Sequence, residues 1–104
     1  MHISILYEIE GPPNMYTIDF EPGVSKVIVK WKRSNPVLYK KLHNVLLSIQ
    51  KNPRSGIGHP EPLVGGEGIT YSRRISANDR IIYDVYDEEV HVLVIELGGH
   101  YRDK

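Results

Sequence analysis

The sequence has no cysteine among its 104 residues. This absence excludes disulfide bonds, thiolate metal sites and thiol catalysis, and it fits a reducing cytoplasm. Net charge is also absent, because thirteen Lys and Arg residues balance thirteen Asp and Glu residues. A neutral chain has no long-range field to draw it onto nucleic acid, so any contact with RNA must be local.

Long hydrophobic runs are missing as well. The longest apolar runs, such as Val92–Ile95, are far below the roughly 20 residues of a membrane-spanning helix. No segment has the pattern of a signal peptide. We therefore expect a soluble, cytoplasmic protein that does not bind membranes. Its 40% hydrophobic and 25% charged residues are ordinary for one globular domain.

Two helices are predicted in the first half of the chain. After Pro22-Gly23, four apolar residues have the i, i+3, i+4, i+7 spacing of one helix face, namely Val24, Val27, Ile28 and Trp31. Ser34-Asn35-Pro36 then supplies a capping residue and a proline at the first helical position. A second apolar stripe follows, formed by Leu38, Leu42, Val45, Leu46 and Ile49. This helix should end near Asn52-Pro53, and both stripes should pack on a sheet.

The strands are predicted at both ends of this helical region. Tyr16–Phe20 reads as the first strand, and an antiparallel meander follows later, with strands at Thr70–Ile75, Arg80–Tyr86 and Val90–Leu97. The last strand is apolar on both faces and should lie centrally under the helices. Arg54–Gly68 is rich in Gly and Pro and predicts an ordered, irregular loop. The fold class is α+β, with two N-terminal helices on a small, mainly antiparallel twisted sheet.

The first fifteen residues look like an extension to a domain that spans residues 16–104. A strong break, Gly11-Pro12-Pro13-Asn14, separates an apolar stretch from the strand that follows. One interpretation is that Met15 is the natural start and the preceding residues are dispensable. The other is that they add an edge strand, which could obstruct a partner.

Acid, base and phosphate-binding groups are concentrated in the last 45 residues: Glu61, Arg74, Arg80, His100 and Tyr101. A carboxylate, an imidazole and two guanidiniums can act on RNA without a metal. They can deprotonate a ribose hydroxyl, stabilise a crowded phosphate and protonate the leaving oxygen. This set suggests cleavage of RNA.

Each of these residues also has a structural interpretation. Glu61 stands between two prolines that restrict its backbone, but a loop carboxylate can simply bind backbone amides. Arg74 and Arg80 present planar forks that suit phosphate, but they could form surface salt bridges with Asp79 or Asp84. His100 can hold a proton near neutral pH, although a terminal histidine is usually only a surface residue.

The two arginines flank one predicted hairpin turn. Because side chains alternate between the faces of a strand, they share a face only if an odd number of residues is left unpaired between them. Arg73 would then point the opposite way, and we assign it to structure or to a binding partner. No cofactor is expected. Metal binding is not expected either, because His59, His91, His100 and Glu61 lack the spacing of a ligand set.

Four motifs occur in order: Gly58-His59-Pro60-Glu61-Pro62-Leu63, Ser72-Arg73-Arg74-Ile75, Asp79-Arg80-Ile81-Ile82-Tyr83 and Gly99-His100-Tyr101. Together they resemble the YoeB/Txe-type toxins of the RelE superfamily. The resemblance extends from about Tyr16 to Lys104, and four spaced motifs are far more specific than one.

The resemblance implies an mRNA endonuclease that works in the ribosomal A site, inhibits translation and is held inactive by a cognate antitoxin. It also implies a cyclic phosphate on the upstream fragment and a possible homodimer, with no binding to DNA by the protein alone. By motif, Glu61 matches the general base, Arg74 and Arg80 the phosphate-stabilising arginines, and His100 the general acid. Tyr101 matches the aromatic residue that orients a nucleotide.

One departure from the family pattern follows the Pro-Glu-Pro-Leu motif. The family often has a basic or polar pair there, whereas this chain has Val64-Gly65-Gly66. We expect a change in affinity or codon preference rather than in the reaction. The alternative function is a catalytically inactive module that binds RNA or an antitoxin and acts in operon regulation.

Overall fold

The computed structural model describes residues 15–99. The predicted N-terminal extension, apart from Met15, lies outside the described residues, as do His100 and Tyr101. The helices are α1 (Pro22–Ser34) and α2 (Pro36–Lys51). The strands are β1 (Thr17–Phe20), β2 (Glu61–Pro62), β3 (Thr70–Arg74), β4 (Arg80–Tyr86) and β5 (His91–Gly98), with a short 3-10 helix at Asp87–Glu89.

Both predicted helices are confirmed, and their boundaries have local causes. Proline occupies the first turn of each helix, where the missing N–H is not needed. The Asn35 side chain caps α2 by accepting a hydrogen bond from the Leu38 amide at 3.2 Å. Most residues of the two predicted stripes are buried, namely Val24, Ile28, Trp31, Leu42, Val45, Leu46 and Ile49. Val27 and Leu38 are only partly buried and pack against the same core. Within residues 15–99, neither helix is long and apolar enough to cross a membrane.

The five strands form one sheet in the order β1-β5-β4-β3-β2. The predicted antiparallel meander is present as β3, β4 and β5, while β1 pairs with β5 in parallel. The prediction of an interior last strand is confirmed, because β5 is hydrogen-bonded on both sides, although β4 occupies the middle of the sheet. This strand begins one residue later than predicted, because Val90 adopts a left-handed conformation with φ of 50°.

The segment between α2 and β3 differs from the prediction of a wholly irregular loop, because it contains β2. Glu61 pairs with Ser72, and Pro62 pairs with Tyr71, at the edge of the sheet. Proline is tolerated in an edge strand because no further strand needs the N–H that proline lacks. β2 could not be predicted from the sequence, because it is short and prolines flank Glu61 on both sides.

The core lies between the two helices and one face of the sheet. Side chains of β4 and β5 that point to the helices are buried, including Ile81, Tyr83, Val85, Val92 and Val94. The residues that alternate with them are half-buried or exposed. Because no described helix covers this second face, we call it the open face.

Candidate active site

Arg74 and Arg80 lie directly opposite each other across the β3–β4 hairpin. Five residues, 75–79, separate them, so the number is odd and both side chains point to the open face. The expectation about register is therefore confirmed. Directly opposed residues in an antiparallel pair have Cβ atoms about 4.5–5.5 Å apart, so the two guanidiniums can reach one anion.

Glu61 lies on the same open face, one strand further toward the sheet edge. Its register partner is Ser72, which precedes Arg74 by two residues, so Glu61 and Arg74 are diagonal neighbours. Such positions are about 7–8 Å apart, within reach of long side chains. Glu61 and Arg74 are both exposed. The sheet thus brings three of the five predicted site residues together.

Ser72 was not assigned a role from the sequence, yet it lies between these groups. It is 3% exposed and accepts a hydrogen bond from Arg80 Nη1 at 3.2 Å. This bond holds the Arg80 side chain across β3, toward Glu61 and Arg74. The signal available in the sequence was the two-residue spacing from Ser72 to Arg74, which places both on one strand face.

The suggested salt bridges of the two arginines are not observed. Asp79 accepts a hydrogen bond from Ser76 Oγ at 2.7 Å, and Asp84 accepts one from Thr70 Oγ1 at 2.7 Å. Within residues 15–99, no carboxylate forms an ion pair with Arg74 or Arg80. Like charges directly opposite each other destabilise a sheet. Two guanidiniums without a carboxylate between them therefore suit an anionic ligand better than a structural role.

The end of β5 adjoins this pair of arginines. Gly98 is the register partner of Arg80 and has a φ of 147°, which L side chains rarely adopt. A Cβ on Gly99 would lie 3.0 Å from the Asn78 carbonyl oxygen. The conformation at Gly98 therefore favours glycine, and a side chain at Gly99 would require the hairpin turn to move slightly.

A groove of about 470 Å³ opens beside Arg74, between α2 and the hairpin turn. Its lining includes Lys41 and His59 but no Asp or Glu. Lys41 and Arg74 therefore extend positive charge from the open face around the end of β3. In the part of the chain that the structure describes, no group of three or more His, Asp or Glu side chains is placed to hold a metal ion.

The departure from the family pattern lies in an exposed turn. Val64 is fully exposed, and Gly65 has a φ of 88°. The turn is closed by a hydrogen bond from the Gly66 amide to the Leu63 carbonyl at 3.1 Å. Val64 therefore offers apolar surface at the position where a basic or polar side chain was expected.

Arg73 points away from the open face, as predicted, and its side chain is completely buried. All five of its N–H groups have acceptors: Tyr83 Oη at 2.9 Å, Ser48 Oγ at 2.8 Å, and the carbonyls of Ile57 at 3.0 Å, Asn52 at 2.6 Å and Ser55 at 2.9 Å. A buried charge is costly unless it is fully hydrogen-bonded. Here neutral oxygens from α2, the following segment and β4 replace water around the guanidinium.

Tyr83 belongs to the same buried network. Its hydroxyl donates to the Pro53 carbonyl at 2.6 Å while accepting from Arg73. Burial raises the pKa of Tyr83 above its ordinary value, and the neighbouring Arg73 offsets part of this increase. The phenol is therefore held in its neutral form.

Alkaline pH is expected to destabilise the protein through Tyr83. Because its pKa is raised in the folded state, its stabilising contribution is present below pH 10.0, the ordinary value, and is lost as the pH rises through the folded pKa. Urea unfolding measured from neutral to alkaline pH should show this decline. Tyr83→Phe should be less stable at neutral pH, but its stability should fall less steeply as the pH rises. Some decline should persist, because the pKa values of Tyr16 and Tyr86 are also raised. Equal slopes in both proteins would contradict the assignment.

Comparison with known proteins agrees with this fold. Residues 20–101 match the model of a family described as YoeB-like toxin of bacterial type II toxin-antitoxin system. Toxin YoeB of Mycobacterium bovis is 33% identical over 79 residues, which cover 76% of this chain and 93% of that protein.

Two solved structures from Staphylococcus aureus are also similar. A YoeB–YefM complex has a TM-score of 0.72 and 32% identity, covering 83% of this chain and 98% of the other. A YoeB dimer has a TM-score of 0.73 and 31% identity, covering 84% and 99%. The chain therefore belongs to the YoeB-like toxins of bacterial type II toxin–antitoxin systems, within the RelE superfamily.

Proposed function

We propose that this protein is a metal-independent, ribosome-dependent endoribonuclease that cleaves mRNA and so inhibits translation. The observation that supports this most directly is the pair of opposed guanidiniums on the open face, with no carboxylate partner among residues 15–99 and Glu61 as a diagonal neighbour. A scissile phosphate beside such a pair would have a base on one side and two cations facing its oxygens.

Glu61 is proposed as the general base. A carboxylate can accept a proton, and the exposed position of Glu61 makes it accessible to a ribose 2′-hydroxyl. The deprotonated 2′-oxygen attacks the adjacent phosphorus and forms a P–O bond. Because this nucleophile belongs to the substrate, DNA is expected to resist cleavage.

Arg74 and Arg80 are proposed to stabilise the negative charge on the pentacoordinate phosphorus. Their forked, positively charged donors match phosphate oxygens. Arg80 is already oriented by its bond to Ser72, so less freedom is lost when it engages the substrate. The positive groove beside Arg74 would accommodate the neighbouring sugar-phosphate backbone.

His100 is proposed as the general acid and Tyr101 as a stacking platform, on the basis of the sequence motif. Protonated His100 gives its proton to the 5′-oxygen as the P–O5′ bond breaks. The products are an upstream fragment with a 2′,3′-cyclic phosphate and a downstream fragment with a 5′-hydroxyl. Stacking of a base on Tyr101 would contribute roughly 1–3 kcal/mol.

The proposed partners are a cognate antitoxin, mRNA, the ribosomal A site and a second copy of the chain. The YoeB–YefM complex and the YoeB dimer of S. aureus support the antitoxin and the homodimer. We also propose a cytoplasmic location, where ribosomes are found, and a division into an extension at residues 1–15 and a toxin domain at 16–104. The family match at residues 20–101 falls within that domain.

The test is a ribosome-dependent translation reaction in which mRNA ends are mapped by primer extension. Wild-type protein should produce discrete breaks within the reading frame, and a mixture without ribosomes should produce none. An mRNA with a single 2′-deoxynucleotide 5′ to a cleaved bond should resist cleavage at that bond only. If the message stays intact while the protein binds it or a partner, the binding-module alternative replaces the enzyme.

A further inference from the structure

The position of Glu61 depends on more than its own strand. β2 is only two residues long, and Pro62 has no N–H to donate. Hydrogen bonds on both flanks therefore matter for holding the strand in place. On the C-terminal side, the Leu63 amide donates to the Thr70 carbonyl at 2.9 Å; on the N-terminal side, the Arg74 amide donates to the Gly58 carbonyl at 2.7 Å.

The segment before Gly58 is fixed by the side chain of Arg73. Three of its carbonyls, from Asn52, Ser55 and Ile57, accept hydrogen bonds from the buried guanidinium. Tyr83, which also contacts Arg73, donates to a fourth carbonyl, that of Pro53. The segment of residues 52–57 is thus wrapped around one cation.

Gly56 shows how closely this segment approaches the cation. A Cβ at Gly56 would overlap Ser48 Oγ and lie 3.0 Å from Arg73 Nη1. Its φ of 124° also disfavours any other residue. The backbone of residues 52–57 therefore follows a path that requires both the small residue and the guanidinium.

We propose that Arg73 is a positioning residue that sets the distance from Glu61 to Arg74 and Arg80. This inference rests on the proposed function. Adjacent residues on β3 point to opposite faces, so Arg74 faces the substrate while Arg73 faces inward and holds the segment that leads to Glu61. One dipeptide thereby fixes the general base relative to the phosphate-binding pair.

The test is Arg73→Lys, which keeps the charge but has three donors in place of five. At least two of the five acceptors around the Arg73 side chain, which we call the cage, lose their bonds. Residues 52–58 and Glu61 should therefore shift, while the β3–β4 hairpin keeps Arg74 and Arg80 in place. A misplacement of about 1 Å can reduce a rate about 10²-fold. We expect a loss of this order in the single-turnover cleavage rate at saturating protein, with the half-saturating protein concentration unchanged.

The matched control is Arg54→Lys, the same change on a nearby arginine. Arg54 bonds to Asp87 in an ion pair of 2.8 Å and to Tyr71, and its side chain is 39% exposed. This variant should cleave at the wild-type rate. All rates are measured at a temperature where circular dichroism shows each protein to be fully folded, so that stability alone does not alter them.

Ser48→Ala serves if Arg73→Lys does not fold, because it removes one acceptor and leaves Arg73 in place. It should lower the cleavage rate less, again without changing half-saturation. A wild-type rate in folded Arg73→Lys or in Ser48→Ala would overturn the proposal. An equal loss of cleavage rate in Arg54→Lys would overturn it too. Any loosening of residues 52–57 would then be enough to lower the rate, without a specific role of Arg73.

Amide NMR spectra separate this proposal from the proposed function. In the folded Arg73→Lys variant, the amides of the non-proline residues between 54 and 63 should shift, whereas those of α1 should not. If wild-type protein fails to cleave mRNA but these shifts occur, the proposed function fails and the positioning of the Glu61 segment by Arg73 stands. If the shifts are absent, the positioning role is wrong whatever the activity.

Discussion

Glu61→Gln is expected to reduce mRNA cleavage by about 10²- to 10⁴-fold, the usual contribution of a general base. The amide has nearly the same size as the carboxylate but cannot accept the 2′-hydroxyl proton. Because Glu61 is exposed and β2 lies at the sheet edge, the fold should be unaffected. The measurement is a single-turnover rate on ribosome-bound mRNA, together with binding of the variant to the same ribosomes.

A matched control is available in the same segment. Glu67 is also exposed but lies beyond the exposed turn that follows β2, so Glu67→Gln should cleave like wild type. Retained binding with lost cleavage in Glu61→Gln would support the role of a base. Wild-type cleavage by Glu61→Gln would contradict it and would leave the carboxylate as a surface group.

Arg74→Ala and Arg80→Ala are each expected to lower the cleavage rate by about 10²- to 10³-fold. This is the loss found when one preorganised donor to a transition-state charge is removed. Arg80→Ala also leaves Ser72 Oγ without its hydrogen bond, so its effect should be at least as large. The measurement is again the single-turnover rate, with the melting temperature recorded for each variant.

Lysine variants and a remote arginine provide the controls. Arg74→Lys keeps the charge but loses the fork, so it should recover only part of the rate. Arg33→Ala removes an exposed guanidinium from the last turn of α1 and should leave the chemical step unchanged. If Arg33→Ala reduced the rate as much as the other two, general attraction to RNA would explain the effect better than contact with the phosphate.

The regular elements could be predicted because each has a strong local signal. Helical spacing and the Asn35-Pro36 start predicted α2, and a strand-like segment between two turns predicted β4. The condition that an odd number of unpaired residues places Arg74 and Arg80 on one face was available in advance. The register itself was not, because the turn length depends on where pairing stops. Tertiary pairing supplied that information.

The cage around Arg73 could not be predicted for a different reason. Its acceptors are mostly main-chain carbonyls, which every residue has, so the side chains of the segment give no signal. The same holds for β2, whose pairing with β3 uses backbone groups beside two prolines. His100 and Tyr101 lie outside the described residues, so their roles stay predictions from the sequence.

The position of β5 has a consequence for the order in which the protein can assemble. This strand is made after the other described elements, yet it lies between β1 and β4. During synthesis, β1 therefore waits for a partner until β5 has emerged, whereas the β3–β4 hairpin can form at once. Pairing between distant parts of a chain is slow to form. A chain cut short before β5 would lose the link between the two parts of its sheet, not merely an edge, and should remain unfolded.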